Sequence, residues 1–224
     1  MVESLNSMSV KENISLIKNQ LPEGVTLIAV SKTKSIGAIK EAYDAGQRDF
    51  GENRVQELVP KYEALPKDIR WHLIGHLQSN KVKYIAPFVH LIHSVDSENL
   101  LSEINKQAQK NDRVIPVLLQ IFIAREETKF GFSFEEAEKL LKESPGKKYP
   151  NVKISGMMGM ATNTEDESQV RKELHSLKNF FSGLRTPDSE LRTLSMGMSS
   201  DWKIAVEEGS NMIRVGSSIF GERK

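Results

Sequence analysis

"LIAVSKTK", residues 27–34, sets the frame for the chain. Four apolar residues, Leu27 to Val30, run directly into Ser31, Lys32, Thr33 and Lys34. A short apolar run without polar alternation reads as a strand buried on both faces, and such strands belong to parallel sheets covered by helices. This strand ends by delivering two lysines. A lysine at a buried strand end normally extends its head to solvent. Partly desolvated beside another cation it loses its proton more readily, and its amine can then condense with a carbonyl. Lys34 shares a face with Lys32 if the strand continues, and composition does not choose between them.

Working outward, similar runs recur at 25–31, 48–52, 70–75, 91–95, 115–122, 153–158, 191–196 and 212–216. Helix-patterned stretches separate them at 35–45, 53–64, 78–85, 97–110, 134–143, 165–182 and 200–208, and an opening helix covers about 9–20. In "SENLLSEINKQAQK" (97–110), apolar residues at 100, 101, 104 and 108 share one face behind a capping Ser97. Strict βα alternation implies parallel strands, because each helix returns the chain across the sheet. Eight such units predict a closed (β/α)8 TIM barrel with an extra N-terminal helix, in a single α/β domain over 1–224. An open doubly wound sheet is the alternative. "KESPGKKYPN" (142–151) and "GLRTPDSE" (183–190) read as loops.

Bulk composition narrows the function classes. The 31 basic and 30 acidic residues leave a net charge of +1 across 224 residues, so no general attraction to nucleic acid or anionic membrane is expected. There is no cysteine, which removes disulfides, thiolate metal sites and thiol nucleophiles and fits a reducing compartment. The N-terminal stretch has no apolar signal core, and "IPVLLQIFIA" (115–124) is too short to span a bilayer. A soluble cytoplasmic protein is expected, and a monomer, since no long apolar surface segment stands out.

In a barrel, chemistry sits where strands end. The seventh strand leads through "LSMGMSSDW" (194–202), where Ser199 or Ser200 reads as a helix cap in front of an anion-attracting helix start. The eighth ends in Gly216-Ser217-Ser218, a small turn with hydroxyls and amides. The loops after these two strands are common phosphate sites. A capped helix and a tight turn are equally ordinary without a ligand. Arg214 shares its face with Met212 and Gly216, so it leads toward this turn. A buried arginine needs partners, because guanidinium keeps its proton; an internal ion pair to Glu52 or Asp201 is the simplest. A carbonyl-binding lysine, a phosphate cradle and a strand-borne arginine together fit pyridoxal 5′-phosphate (PLP). Arginine at the ring nitrogen disfavours protonation there and weakens the electron sink. That suits racemase-like chemistry or simple holding better than transamination.

The same residues carry a resemblance. "AVSKTK" (29–34), "FGENRVQE" (50–57), "WHLIGHLQSNK" (71–81), "HSVDS" (93–97), "KFGF" (129–132), "SGMMGMAT" (155–162), "LSMGMSSD" (194–201) and "IRVGSSIFG" (213–221) follow one another along almost the whole chain. The chain resembles the pyridoxal phosphate homeostasis proteins (the YggS/PROSC group), which are similar to the barrel domain of fold-type III alanine racemase. The resemblance implies a Schiff base on Lys32 and phosphate contacts from Met198, Ser199, Gly216 and Ser217. It also implies Arg214 near the ring nitrogen and Asn53 lining the cofactor face. Two residues depart from the family pattern: Ser35 replaces a usual proline, expected only to loosen a helix start, and Ser217 replaces a common threonine while keeping the hydroxyl.

The family implies a protein that buffers or delivers PLP within vitamin B6 homeostasis, with PLP-dependent apoenzymes as possible recipients and no established catalysis. A PLP-dependent amino-acid racemase is the alternative, and an interaction module that merely retains the site is a third. Racemases of this fold add a β-domain and a tyrosine from a second subunit. The four tyrosines here (Tyr43, Tyr62, Tyr84, Tyr149) lie away from predicted strand ends. His72 and His76 lack metal-ligand spacing; His72 is expected to bond within the barrel and His76 to edge the pocket. Met157, Met158, Met160, Met196 and Met198 read as barrel filling and pocket wall.

Overall fold

The computed structural model describes residues 8–124, 130–185 and 190–221. Parts of two stretches read above, Lys129 of "KFGF" and 186–189 of "GLRTPDSE", lie outside the described residues. Eight strands, β1 (Thr26–Val30), β2 (Asp49–Glu52), β3 (Arg70–Leu73), β4 (Leu91–Val95), β5 (Ile115–Gln120), β6 (Val152–Met158), β7 (Thr193–Ser195) and β8 (Met212–Val215), form one closed barrel in sequence order. All neighbours are parallel. Closure rests on β1 against β8, with Thr26 to Ala29 opposite Met212 to Val215, which rules out the open doubly wound sheet.

The helices are α1 (Val10–Lys18), α2 (Ile36–Asp44), α3 (Val55–Ala64), α4 (Val82–Ile85), α5 (Glu98–Lys110), α6 (Phe134–Lys142), α7 (Pro145–Lys148), α8 (Glu167–Leu184), α9 (Trp202–Glu207) and α10 (Ser217–Phe220). A 3₁₀ turn at Ser79–Lys81 precedes α4, so the helix expected over 78–85 is split. Two expected loops contain short helices, α7 within 142–151 and α10 after Gly216. Ser97 caps α5 through the Leu100 N–H, as its sequence suggests. The extra N-terminal helix α1 starts with a Ser9–Glu12 capping box, and Asn13 donates to the Ile219 carbonyl at 3.0 Å, tying α1 to α10.

β7 is shorter than the expected 191–196, and side chains supplement its backbone bonds. The Leu194 N–H donates to Asn211 Oδ1 at 2.8 Å and the Met196 N–H to Ser210 Oγ at 3.1 Å. The main core lies between strands and helices, where Phe50, Trp71, Leu73, Ile92, Leu101 and Leu177 are sealed from water. A smaller cluster of Leu91, Leu118 and Met158, with Met160 and Met212 against it, fills the barrel interior. Buried polar residues accompany it: His72, His93, Ser195 and Arg214. Among the described residues no helix is long and apolar enough to cross a membrane.

Candidate functional site

At the C-terminal mouth of the barrel a cleft of about 550 Å³ opens over β1, β2, β7 and β8. Lys32, Asn53, Met198, Ser199, Arg214, Gly216 and Ser217, the residues nominated from sequence, all line it. So do Val30, Lys34, Ile74, Met160, Ser200, Ser218 and Gly221. Among the described residues the wall thus carries three basic side chains and no carboxylate. Its field suits an anion.

β1 ends at Val30, and the chain then bends so sharply that Thr33 takes the left-handed region at φ 63°. A β-branched residue there is rare and needs support. The support comes from β2 and α3. The Ser31 N–H donates to the Gly51 carbonyl at 2.9 Å and the Ser31 hydroxyl to Glu52 Oε1 at 2.6 Å. Lys61 Nζ donates to the Ser31 carbonyl at 2.9 Å and to Glu52 at 2.7 Å. The Thr33 N–H donates to Glu57 Oε2 at 2.7 Å. Each side of Lys32 is therefore held by a buried or half-buried charged group. Burial raises the Glu52 carboxyl above the usual range, against the pull of Lys61 and Ser31. Burial also acts on Glu57, but the Thr33 N–H and Lys61 outweigh it and leave that carboxyl lowered.

The bend at Thr33 breaks the strand alternation that put Lys32 and Lys34 on one face. Lys34 Nζ turns toward the end of α10, donating to the Phe220 and Gly221 carbonyls at 3.1 and 2.9 Å. Ser35, expected to loosen the helix start, instead caps α2: its hydroxyl accepts from the Ala38 N–H at 3.2 Å, and its φ of −70° is one that proline also adopts.

Glycines shape the walls at two points. A Cβ on Gly75 would lie 2.5 Å from the Asn53 carbonyl oxygen, so Gly75 lets the chain carrying Asn53 sit against β3's exit. Gly197 has φ +95°, and a Cβ there would fall 2.7 Å from Ala205 Cβ. It turns the chain out of β7 so that Met198 and Ser199 face the cleft. The helix cap expected at Ser199 or Ser200 is not formed by either. Asp201 occupies the cap position of α9, and its carboxylate reaches back to accept from the Met198 N–H at 2.6 Å. The Ser199 hydroxyl accepts from the Gly216 N–H at 3.1 Å, bridging β7's loop to β8's turn.

Arg214 lies beneath this bridge and is 4% exposed. The expected ion pair is absent: Glu52 pairs with Lys61 instead, and Asp201 is committed to Met198. The guanidinium donates to the Ser195 carbonyl at 2.9 Å, the Ser195 hydroxyl at 2.5 Å and the Gly159 carbonyl at 3.1 Å. Burial lowers its pKa to about 10, partly countered by Asp201, so it is a cation at neutral pH.

The methionines divide as their sequence suggests, with Met157, Met158 and Met196 buried and Met160 and Met198 on the cleft wall. His72 bonds within the barrel, 3.0 Å from His93 and 3.2 Å from Asp49. His76 does not line the cleft; it bonds Asp96 at 3.0 Å and stacks on Phe130. Among the described residues no group of three potential metal ligands is assembled. Sequence reasoning missed the Glu52–Glu57–Lys61 clamp. The i,i+4 spacing of Glu57 and Lys61 was the available signal.

The cleft fits PLP by chemistry. It offers an amine on a short, clamped segment, a small serine-rich turn for a phosphate, and a buried cation below. A family model for the alanine racemase N-terminal domain matches residues 5–224. The pyridoxal phosphate homeostasis protein of Aquifex aeolicus is 44% identical over 200 residues, covering 88% of this chain and 87% of that protein. PipY of Synechococcus elongatus, solved with PLP bound, superposes with a TM-score of 0.86 at 37% identity, covering 95% of this chain and 100% of that one. Alanine racemase from E. faecalis superposes with a TM-score of 0.78 at 18% identity, over 96% of this chain and 58% of the enzyme, a likeness of fold. With the barrel, the cleft and full-length relatives in agreement, the chain belongs to the pyridoxal phosphate homeostasis protein family.

Proposed function

We propose that this chain binds PLP in the cleft at the C-terminal mouth and holds it for intracellular vitamin B6 homeostasis, buffering it or delivering it to PLP-dependent apoenzymes. The observation that carries this reading is the convergence of seven sequence-nominated residues on one cleft that, among the described residues, has three cations and no carboxylate. Lys32 supplies the amine that condenses with the cofactor's aldehyde, releasing water. Ser199, Ser217 and the amides of Met198 and Gly216 receive the phosphate. Two of these amides are already satisfied by Asp201 and Ser199 oxygens, so phosphate entry exchanges one anionic or hydroxyl acceptor for another. Asn53 lines the ring face, and Arg214 stands at the ring nitrogen. When bound, PLP would supply a reactive aldehyde and an electron-accepting ring.

Holding is favoured over racemisation because a two-base reaction needs an acid–base group on the opposite ring face. Among the described residues no tyrosine lines the cleft. Tyr43 bonds Asp68, Tyr62 stacks on Phe88 and Tyr149 bonds Glu98. We further propose one PLP-binding unit over 1–224 acting as a monomer in the cytoplasm. The cysteine-free composition supports the compartment. The placement of exposed large apolar side chains on separate elements, such as Leu16, Ile36 and Tyr84, supports the monomer.

The test is borohydride reduction of the PLP-loaded protein followed by peptide mass spectrometry. The adduct is expected on Lys32 and is lost in Lys32→Ala; an adduct on Lys34 in the wild type overturns the assignment. Incubation with amino acids in deuterium oxide should leave Cα unlabelled. Labelling of any one of them returns the racemase reading.

A further inference from the structure

Below the cleft, four residues stand in file between Arg214 and the opposite mouth of the barrel. Arg214 Nη1 lies 2.5 Å from Ser195 Oγ, and Ser195 Oγ lies 3.1 Å from His93 Nδ1. His93 Nε2 lies 3.0 Å from His72 Nδ1, and His72 Nε2 lies 3.2 Å from Asp49 Oδ1. Strands β8, β7, β4, β3 and β2 each contribute one member. All five residues are buried or nearly so, and Asp49 is gripped on its outer side by Arg70 at 2.6 and 2.5 Å.

The direction of every bond follows from its two ends. A guanidinium only donates, so Ser195 Oγ accepts from Arg214; a carboxylate only accepts, so His72 Nε2 carries a proton toward Asp49, and with neutral imidazoles His72 Nδ1 accepts from His93 Nε2–H, which leaves His93 Nδ1 to accept the Ser195 proton. That nitrogen is therefore bare, and the His93 proton sits on Nε2, donated to His72 Nδ1. The His72 proton then also sits on Nε2, and the Asp49 carboxylate, which only accepts, ends the file. This order holds when both imidazoles are neutral. Burial pushes both below the usual histidine value; for His93 the charges of His72, Arg214 and His90 add to it, while Asp49 opposes it at His72. The other charged or titratable groups facing the file are Arg70 beside Asp49, His90 edge-on to His72 at 5.3 Å, and Asp201 acting on Arg214 from the rim.

We propose that Ser195, His93, His72 and Asp49 are positioning residues that hold the Arg214 guanidinium at the PLP ring nitrogen through a one-way relay of donated protons spanning the barrel. The relay rests on the PLP reading above. It explains how a buried arginine without a contacting carboxylate keeps a fixed orientation: the Ser195 proton is drawn away by His93, so a lone pair always faces Arg214. If His93 took a second proton, Ser195 would lose its acceptor and a second cation would stand behind Arg214.

The test combines two readouts on the PLP-loaded protein. Long-range ¹H–¹⁵N correlation of the imidazoles should show His72 and His93 neutral and protonated on Nε2 between about pH 7 and 8. In parallel, PLP affinity and the pH profile of the bound cofactor's absorbance are compared across variants. His93→Leu and Ser195→Ala should shift the profile and weaken PLP binding about tenfold, the scale of one lost hydrogen bond to a buried charge. His93→Gln, which offers an oxygen toward Ser195 and an N–H toward His72, should restore both to within about twofold. A purely structural role would lower stability in these variants without moving the profile. An Nδ1-protonated or cationic imidazole in that pH range, or a wild-type profile in both His93→Leu and Ser195→Ala, overturns the proposal. A wild type that takes up no PLP overturns the cofactor reading and with it the role of Arg214, while the tautomers still report whether the relay exists.

Discussion

Lys61 and Arg214 are both cations shut inside the fold, 7% and 4% exposed, and they are satisfied in opposite ways. Lys61 meets Glu52 at 2.7 Å and Glu57 at 3.3 Å, so its charge is cancelled where it stands. What remains is mechanical: the cluster grips Ser31 and Thr33 and so fixes the segment bearing Lys32. Among the described residues Arg214 meets only neutral oxygens, two carbonyls and a hydroxyl. Its charge is left to act on whatever enters the cleft. The same element of cost, a desolvated cation, thus serves as scaffold where it is paired and as a ligand-facing field where it is not.

The comparison breaks most readily at Lys61. Lys61→Met strands Glu52 in the core, and a loss on the order of 3–5 kcal/mol is expected from urea unfolding. Adding Glu52→Gln should recover a large part of it. A loss below about 1 kcal/mol would mean that the pair contributes no more than a surface bridge. Arg214→Met removes a desolvated charge and leaves two buried carbonyls short of a donor. Its stability loss should be smaller, about 1–3 kcal/mol, while its effect on PLP affinity should exceed that of any other cleft substitution except Lys32→Ala.

Acid provides a third lever. His72 and His93 have folded pKa values depressed by burial, so the unfolded chain binds their protons first. Their contribution is full above about pH 6.5 and is lost as pH falls below it, by up to about 1.4 kcal/mol per pH unit for each. Asp49, lowered by its bonds to Arg70 and His72 despite burial, adds a further loss below about pH 4. Glu52 runs the other way: its carboxyl is raised in the fold, so stability declines as pH rises from about 4.5 toward that raised value. Denaturant melts from about pH 7 to 4 should therefore show a net loss on acidification. His93→Gln should flatten the slope near pH 6; an unchanged slope would remove His93 from the titration. The smallest effect is expected at Ser35→Ala, about 1 kcal/mol for a lost helix cap, measured by thermal melting.

Much of this was readable from periodicity. Eight apolar runs separated by helical stretches define the barrel, and because function gathers where strands end, the rim bearing the two lysines, Arg214 and the serine turns follows from order, while the choice of Lys32 over Lys34 and the naming of Asn53 and Met198 rest on the family resemblance. What was unreadable depends on where a chain bends or on which strand faces which. Lys34 is drawn to the end of α10 while still bordering the cleft with Lys32, because Thr33 leaves the strand conformation, which alternation cannot anticipate. Glu52 is a plausible partner for Arg214 by position, but it bonds Lys61 of α3, on the helix side of the sheet. Ser199 looks like a cap until Asp201 is seen reaching back to Met198. The file from Ser195 to Asp49 draws single residues from separate strands, and no spacing along the chain encodes such a register.

Barrel closure gives the cleft one more property. Lys32 follows the first strand and Arg214 lies on the last, and these two strands meet only at the seam that closes the sheet. A molecule touching both is a clasp across that seam. The pocket exists only where that pairing is made, so a barrel open at the seam would part the lysine from the floor beneath it. Cofactor capture then doubles as a report that the ring has shut, and a loaded protein should resist opening first along β1 and β8.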